Sequence, residues 1–181
     1  MKYPNIDTLE KFGLDNIPDL DTAVLATLEL FEKNGLPSLE QPSFNLPLIV
    51  GSGNALPVGR ILYHDKKAVF ADESIYKETL KINPDIDGVV VVSASGKKSS
   101  DDVIKYLKEN GIENRLITAN RDWINREPYT YNVSTYLGMI LSKTGENPSS
   151  IKKFIESEVD KNIPSNLDKF NSFFFIIPPS S

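Results

Sequence analysis

Short, wholly apolar runs recur along the middle of the chain, and each is followed by a stretch with helical spacing. Leu46–Gly51 (LPLIVG), Lys67–Ala71 (KAVFA), Asp87–Ser93 (DGVVVVS) and Asn114–Asn120 (NRLITAN) read as four strands. Ala55–His64 reads as a short helix, with Pro57 tolerable in its first turn only. Glu73–Asn83 reads as a second helix. Ser100–Gly111 is a third, with a polar start, Val103, Ile104, Tyr106 and Leu107 inside, and glycine at its end. Asn132–Gly145, apolar at Val133, Tyr136, Leu137, Ile140 and Leu141, and Ser149–Val159 add two more. Upstream, Asp21–Gly35 carries Val24, Leu25, Leu28, Leu30 and Phe31 at helical spacing, with Asp21 as the expected N-cap and Gly35 as the stop. Three prolines in Leu36–Pro47, at Pro37, Pro42 and Pro47, mark an extended connector.

Apolar strands that alternate with helices pack as parallel strands joined by right-handed crossovers. The expected fold class is therefore α/β: a three-layer α/β/α sandwich on a mainly parallel, roughly five-stranded, flavodoxin-like sheet. Residues 1–45 are expected to form an N-terminal helical arm, 46–160 the α/β domain, and 161–181 a C-terminal strand. The apolar run Phe173–Ile177 is a candidate fifth strand, or the first strand of a second, similar domain truncated at the end of this chain. An exposed strand this apolar is a liability, so it is expected to pair with this sheet or a partner chain.

In open parallel sheets ligands sit beyond the carboxyl ends of the strands. Gly51–Asn54, Ser93–Ser100 and Thr118–Asn120 are thus expected to cluster. Ser93, Ser95, Ser99 and Ser100 surround the third strand-to-helix turn, Gly96 permits close backbone approach, and the helix behind it aims free N–H groups at the loop. With Lys97 or Lys98 as a point charge, this describes a phosphate cradle. The same residues also fit a plain helix cap flanked by solvated lysines. The Gly51–Asn54 loop (GSGN) invites a dinucleotide reading, with Asp72 or Glu73 as the ribose acid, but Leu56 stands where the third glycine of that fingerprint belongs.

Composition narrows the function. The 181 residues suffice for one domain with a real core, and the formal net charge of −5 argues against broad nucleic-acid binding. The chain has no cysteine and one histidine, so thiol chemistry and multi-histidine metal sites are excluded. The first residues lack the apolar core of a signal peptide, and no apolar run approaches the roughly 20 residues of a membrane span. A cytoplasmic protein without metal or cofactor is expected.

Taken together, these loops resemble the sugar isomerase (SIS) domain family over about residues 45–145. The family's glycine-rich turn after strand one is matched by Gly51, Ser52, Gly53 and Asn54. Its "SxSGxT" phosphate loop is matched by Ser93-Ala94-Ser95-Gly96, with Lys98 at the threonine position and Ser99 one step later. Its strand-four tip is matched by Thr118 and Asn120, and its "ST" helix by Ser134-Thr135. The resemblance implies a phosphosugar ligand at Gly51–Asn54, Ser93, Ser95, Gly96, Lys98, Ser99 and Thr118. It also implies a homodimer or a second SIS domain as partner, and kinship with phosphoglucose and phosphomannose isomerase-type proteins.

Aldose–ketose isomerisation needs a base to shuttle a proton between adjacent carbons, and usually a second acid or base to open the ring. Glu127 is the candidate base by position, and His64, the sole histidine, the candidate second group. Both fit the family pattern poorly, since Glu127 falls early and His64 lies in a turn ahead of Asp65-Lys66-Lys67. Two alternatives stand beside the isomerase: a non-catalytic phosphosugar sensor, and a nucleotide-binding domain of Rossmann type. Trp123 and Tyr129 fit a sugar pocket, a lid or an interface equally.

Overall fold

The computed structural model of the protein describes residues 20–36, 39, 42–96, 99–118 and 133–159, the side chains of 20–23, 133–135 and 159 excepted. Strands β1 (Pro47–Val50), β2 (Val69–Ala71), β3 (Gly88–Val92) and β4 (Asn114–Ile117) form one parallel sheet. Their order is β2-β1-β3-β4. The sheet thus has four strands rather than the expected five or so. The candidate for a fifth, residues 173–177, lies outside the described residues. Val50 pairs with both Ala71 and Val91, and Val92 with Ile117. The strands therefore end almost level, and the loops that follow them emerge along one edge.

Six helices complete the described fold: α1 (Leu20–Asn34), α2 (Ala55–Leu62), α3 (Tyr76–Ile82), α4 (Ser99–Glu109), α5 (Val133–Thr144) and α6 (Pro148–Phe154). A single π turn over Ile155–Val159 continues α6. Helix α1 begins at Leu20, which puts Asp21 inside its first turn rather than at the cap. Asn147 caps α6 instead, accepting the N–H groups of Ser149 at 2.8 Å and Ser150 at 3.4 Å.

Side-chain alternation sends the strand residues to two cores. Leu48, Val50, Val89 and Val91 meet Tyr76 of α3 and Val103, Ile104 and Leu107 of α4 on one face. Ile49, Val90, Val92 and Ile117 meet Ala55, Val58 and Leu62 of α2 and Met139 of α5 on the other. This is the expected three-layer sandwich. Val89–Val92 are all fully buried, which explains an unbroken valine run where a one-sided sheet would alternate apolar with polar. A further cluster of Leu28, Phe31 and Leu141 packs α1 against α5, with Ile151 of α6 beside it. The helix of the expected N-terminal arm is thus docked on the body of the domain.

Helix α2 lies close to β1. A Cβ on Gly59 would stand 2.7 Å from Ile49 Cγ2, so only glycine allows this approach. At the opposite, amino edge of the sheet, Asp87 ties the entry of β1 to the start of β3. Its carboxylate accepts from Asn45 N at 2.6 Å, Asn45 Nδ2 at 3.0 Å and Leu46 N at 2.9 Å. Lys143 at the end of α5 reaches Asp65 at 2.8 Å across the same edge.

The amide donors of Asn45 and Leu46 hold the Asp87 carboxyl below its usual range. A carboxyl depressed in the native state stabilises the fold above its unfolded pKa, about 3.9, and that contribution is lost as pH falls through the lower native value. Asp87→Asn is therefore expected to be less stable than wild type at about pH 6. The gap should close as the solution is acidified below about pH 4. Urea unfolding of both proteins across this range checks it; a gap independent of pH contradicts it.

Candidate functional site

The order β2-β1-β3-β4 makes the chain turn one way from β1 to β2 and the other way from β3 to β4. The reversal falls between β1 and β3, the switch point at which open α/β sheets bind ligands. The loops that leave these two strands are Gly51–Asn54 and Ser93–Gly96, so the two glycine-bearing loops stand side by side. Helices α2 and α4 begin from them on opposite faces of the sheet.

The first loop turns directly from strand to helix. Gly51 N–H donates to Ala71 O at 3.3 Å, and a Cβ on Gly51 would lie 3.0 Å from Ala55 and from Leu56 N. Gly53 adopts φ +52°, a region L side chains rarely enter, and its Cβ position is open space. Ser52, Gly53 and Asn54 are exposed. Ser52 and Asn54 accept the first α2 amides through their carbonyls, from Ala55 N at 3.0 Å and Val58 N at 3.3 Å. The Asn54 side chain makes no capping bond, so it stands at the edge with its amide group uncommitted to the helix.

The second loop is closed by a bond of its own and braced from two neighbouring elements. Ser93 Oγ accepts the Gly96 N–H at 3.1 Å, and Gly96 sits at φ +57°. Thr118, buried at the tip of β4, donates its hydroxyl to Ala94 O at 3.0 Å. Tyr136 of α5 accepts the Ala94 N–H at 3.4 Å. Ala94 is thus held at both its amide and its carbonyl. Ser95 is half-buried within this loop, Ser99 is exposed at the first position of α4, and Ser100 behind it is fully buried.

The structure therefore brings Gly51, Ser52, Gly53, Asn54, Ser93, Ser95, Gly96, Ser99 and Thr118 to one edge. Thr118 acts there as a brace for the loop. Lys98, with Lys97, Asn120, Trp123, Glu127 and Tyr129, lies outside the described residues. His64 is not part of this cluster. It follows α2, whose eight residues carry the chain about 12 Å back toward the amino edge. There its Nδ1–H donates to Ile61 O at 2.8 Å. Next to it Tyr63 is buried, its hydroxyl unpaired among the described residues, and burial pushes its phenol up to about 12.

Asp72, at the carboxyl end of β2, is committed elsewhere. One of its oxygens accepts from Ser74 N at 2.7 Å, Ser74 Oγ at 2.5 Å and Ile75 N at 3.2 Å, which caps the turn into α3. Those bonds, the Ser74 hydroxyl first, hold its carboxyl low. A carboxylate bound this way is poorly placed to receive a ribose. The strand order also differs from the dinucleotide type, in which the strand on the far side of β1 is the fourth.

Two residues at the edge escaped the reading of the sequence. Tyr136 counted only as an apolar position of a helix. Glu73 counted only as a ribose acid, yet its charge reaches the Tyr136 phenol across the edge. Burial first pushes that phenol up, the Ala94 N–H pulls it down, and Glu73 adds to the rise. Among the described residues no cluster of histidine, aspartate and glutamate is arranged to hold a metal ion. No described helix is long and apolar enough to cross a membrane.

Replacing Thr118 by the near-isosteric valine leaves the Ala94 carbonyl without its buried donor, at a cost of about 1–3 kcal/mol. Thr118→Val is expected to lose that much stability in urea unfolding, and an unchanged midpoint would show that the brace is slack. Comparison with known proteins finds no matching family model and no matching curated protein.

Proposed function

We propose that the chain is a phosphosugar-binding domain of the sugar isomerase type, with the phosphate seated between the Gly51–Asn54 and Ser93–Gly96 loops. The observation that carries this reading is their juxtaposition at the β1/β3 switch point, each with a glycine in the left-handed region. The glycines keep side chains out of the space a phosphate needs, and the serine and asparagine groups offer it donors. The net charge of −5 favours a small anion held locally over a polyanion.

Binding without turnover is the better-supported form of this function for the chain taken alone. His64, which follows α2 toward the far edge of the sheet, stands away from a sugar bound at the near edge of the same chain. An aldose–ketose isomerase would draw its base from Glu127 or from a second domain or subunit, in keeping with the family resemblance. A cytoplasmic homodimer or two-domain protein belongs to the same proposal.

The test is thermal unfolding against a panel of hexose 6-phosphates, inorganic phosphate and NAD(P), with Ser95→Ala as control. A ligand at 100 times its Kd stabilises the fold by about 2.7 kcal/mol. A shift with one phosphosugar, lost in Ser95→Ala, is expected. A shift with NAD(P) alone would overturn the reading in favour of a nucleotide site.

A further inference from the structure

A hydroxyl that accepts an amide hydrogen bond still has one proton to give. Two such hydroxyls meet at the second loop. Ser93 Oγ accepts from Gly96 N, and the Tyr136 hydroxyl accepts from Ala94 N. No described residue receives the proton of either one. Both oxygens are tied to amides of the same stretch, Ser93–Gly96. The Tyr136 ring is also held firmly. It packs against the cluster of Ile49, Val92 and Met139 and stands in the first turn of α5, whose Met139 is buried against the sheet. A half-buried ring in a packed cluster loses little rotamer freedom when its hydroxyl is engaged.

We infer that Tyr136 is a ligand-binding residue: its hydroxyl, oriented by the Ala94 amide, donates its proton to a phosphate oxygen seated on the Ser93–Gly96 loop. The inference rests on the phosphosugar reading and adds to it a contact from α5, beyond the motif loops. It gives α5 a direct part in recognition. The negative charge of Glu73, just past the end of β2, adds to burial in favouring the protonated, donating form of the phenol.

The experiment is calorimetric titration of the full chain with fructose 6-phosphate and with inorganic phosphate, for wild type, Ser93→Ala and Tyr136→Phe. Wild type is expected to bind both, and Tyr136→Phe to bind both about ten-fold more weakly, as befits one lost hydrogen bond to a charged group. Site-specific replacement of Tyr136 by a difluorinated tyrosine, read at a pH where the phenol keeps its proton, separates donating from accepting, because fluorination makes the hydroxyl a stronger donor and a weaker acceptor. A hydroxyl that donates to the phosphate should then bind both probes more tightly than wild type at the same pH. A hydroxyl that serves only to accept from Ala94 would hold that bond less firmly, and relative affinity would stay level or fall, which overturns the inference. Equal binding by wild type and Tyr136→Phe, with Ser93→Ala weakened, also overturns it and leaves the phosphosugar reading standing. Failure of wild type to bind either probe overturns that reading and the inference with it. If Tyr136→Phe does not fold, the fluorinated chain, which keeps the ring and its hydroxyl, decides the matter.

Discussion

A strand buried on both faces has no place for a polar side chain along its length. Val89, Val90, Val91 and Val92 meet that condition, each with no exposed surface. β3 is flanked by β1 and β4 and covered by helices above and below. Every polar group that β3 contributes to function must therefore lie at its end, and the sequence changes from valine to serine and glycine at that point. The same constraint acts on β1, whose Pro47–Val50 is buried throughout before Gly51 begins the turn. Chemistry is driven to one edge of the sheet by the packing of its middle.

That edge is useful because its loops are held. Ala94 is gripped at its amide by α5 and at its carbonyl by β4, while Ser93 closes the turn onto Gly96. A loop closed on itself and fixed by two separate elements loses little further freedom when a ligand arrives, so less of the binding energy goes into ordering it. The grip reaches further through the packing. α5 carries Tyr136 near one end, Leu141 against α1 toward the other, and Lys143 on Asp65 at the amino edge. One helix thus links the outer layer, the opposite edge of the sheet and the candidate loop.

The layers were legible in the sequence because their signal is apolar periodicity, which burial enforces directly. The four strands fall within the predicted runs, β1 and β3 shortened at both ends, β2 at its start and β4 at its end. Thr118 shows why: it is buried like a strand residue, yet it lies one step past the last ladder pair and turns its hydroxyl to the neighbouring loop. Other features give weaker signals. Gly59 reads in sequence as a helix penalty, and only the nearness of Ile49 reveals it as the packing glycine that Leu56 is not. Asp72 sits at the spacing of a ribose acid, but Ser74 two residues on is the mark of a capping turn. Tyr136 escaped because its ring satisfies the helix period, and its hydroxyl has meaning only once α5 is folded beside β3.

The account stands on the claim that the β1/β3 edge is where this protein meets its ligand. The most direct measurement is backbone amide chemical-shift mapping during titration with fructose 6-phosphate. Saturable shifts centred on Gly51–Asn54 and Ser93–Gly96, with His64–Lys66 at the opposite edge unmoved, are the predicted result. Shifts centred anywhere else on the molecule, or none that saturate, would contradict it.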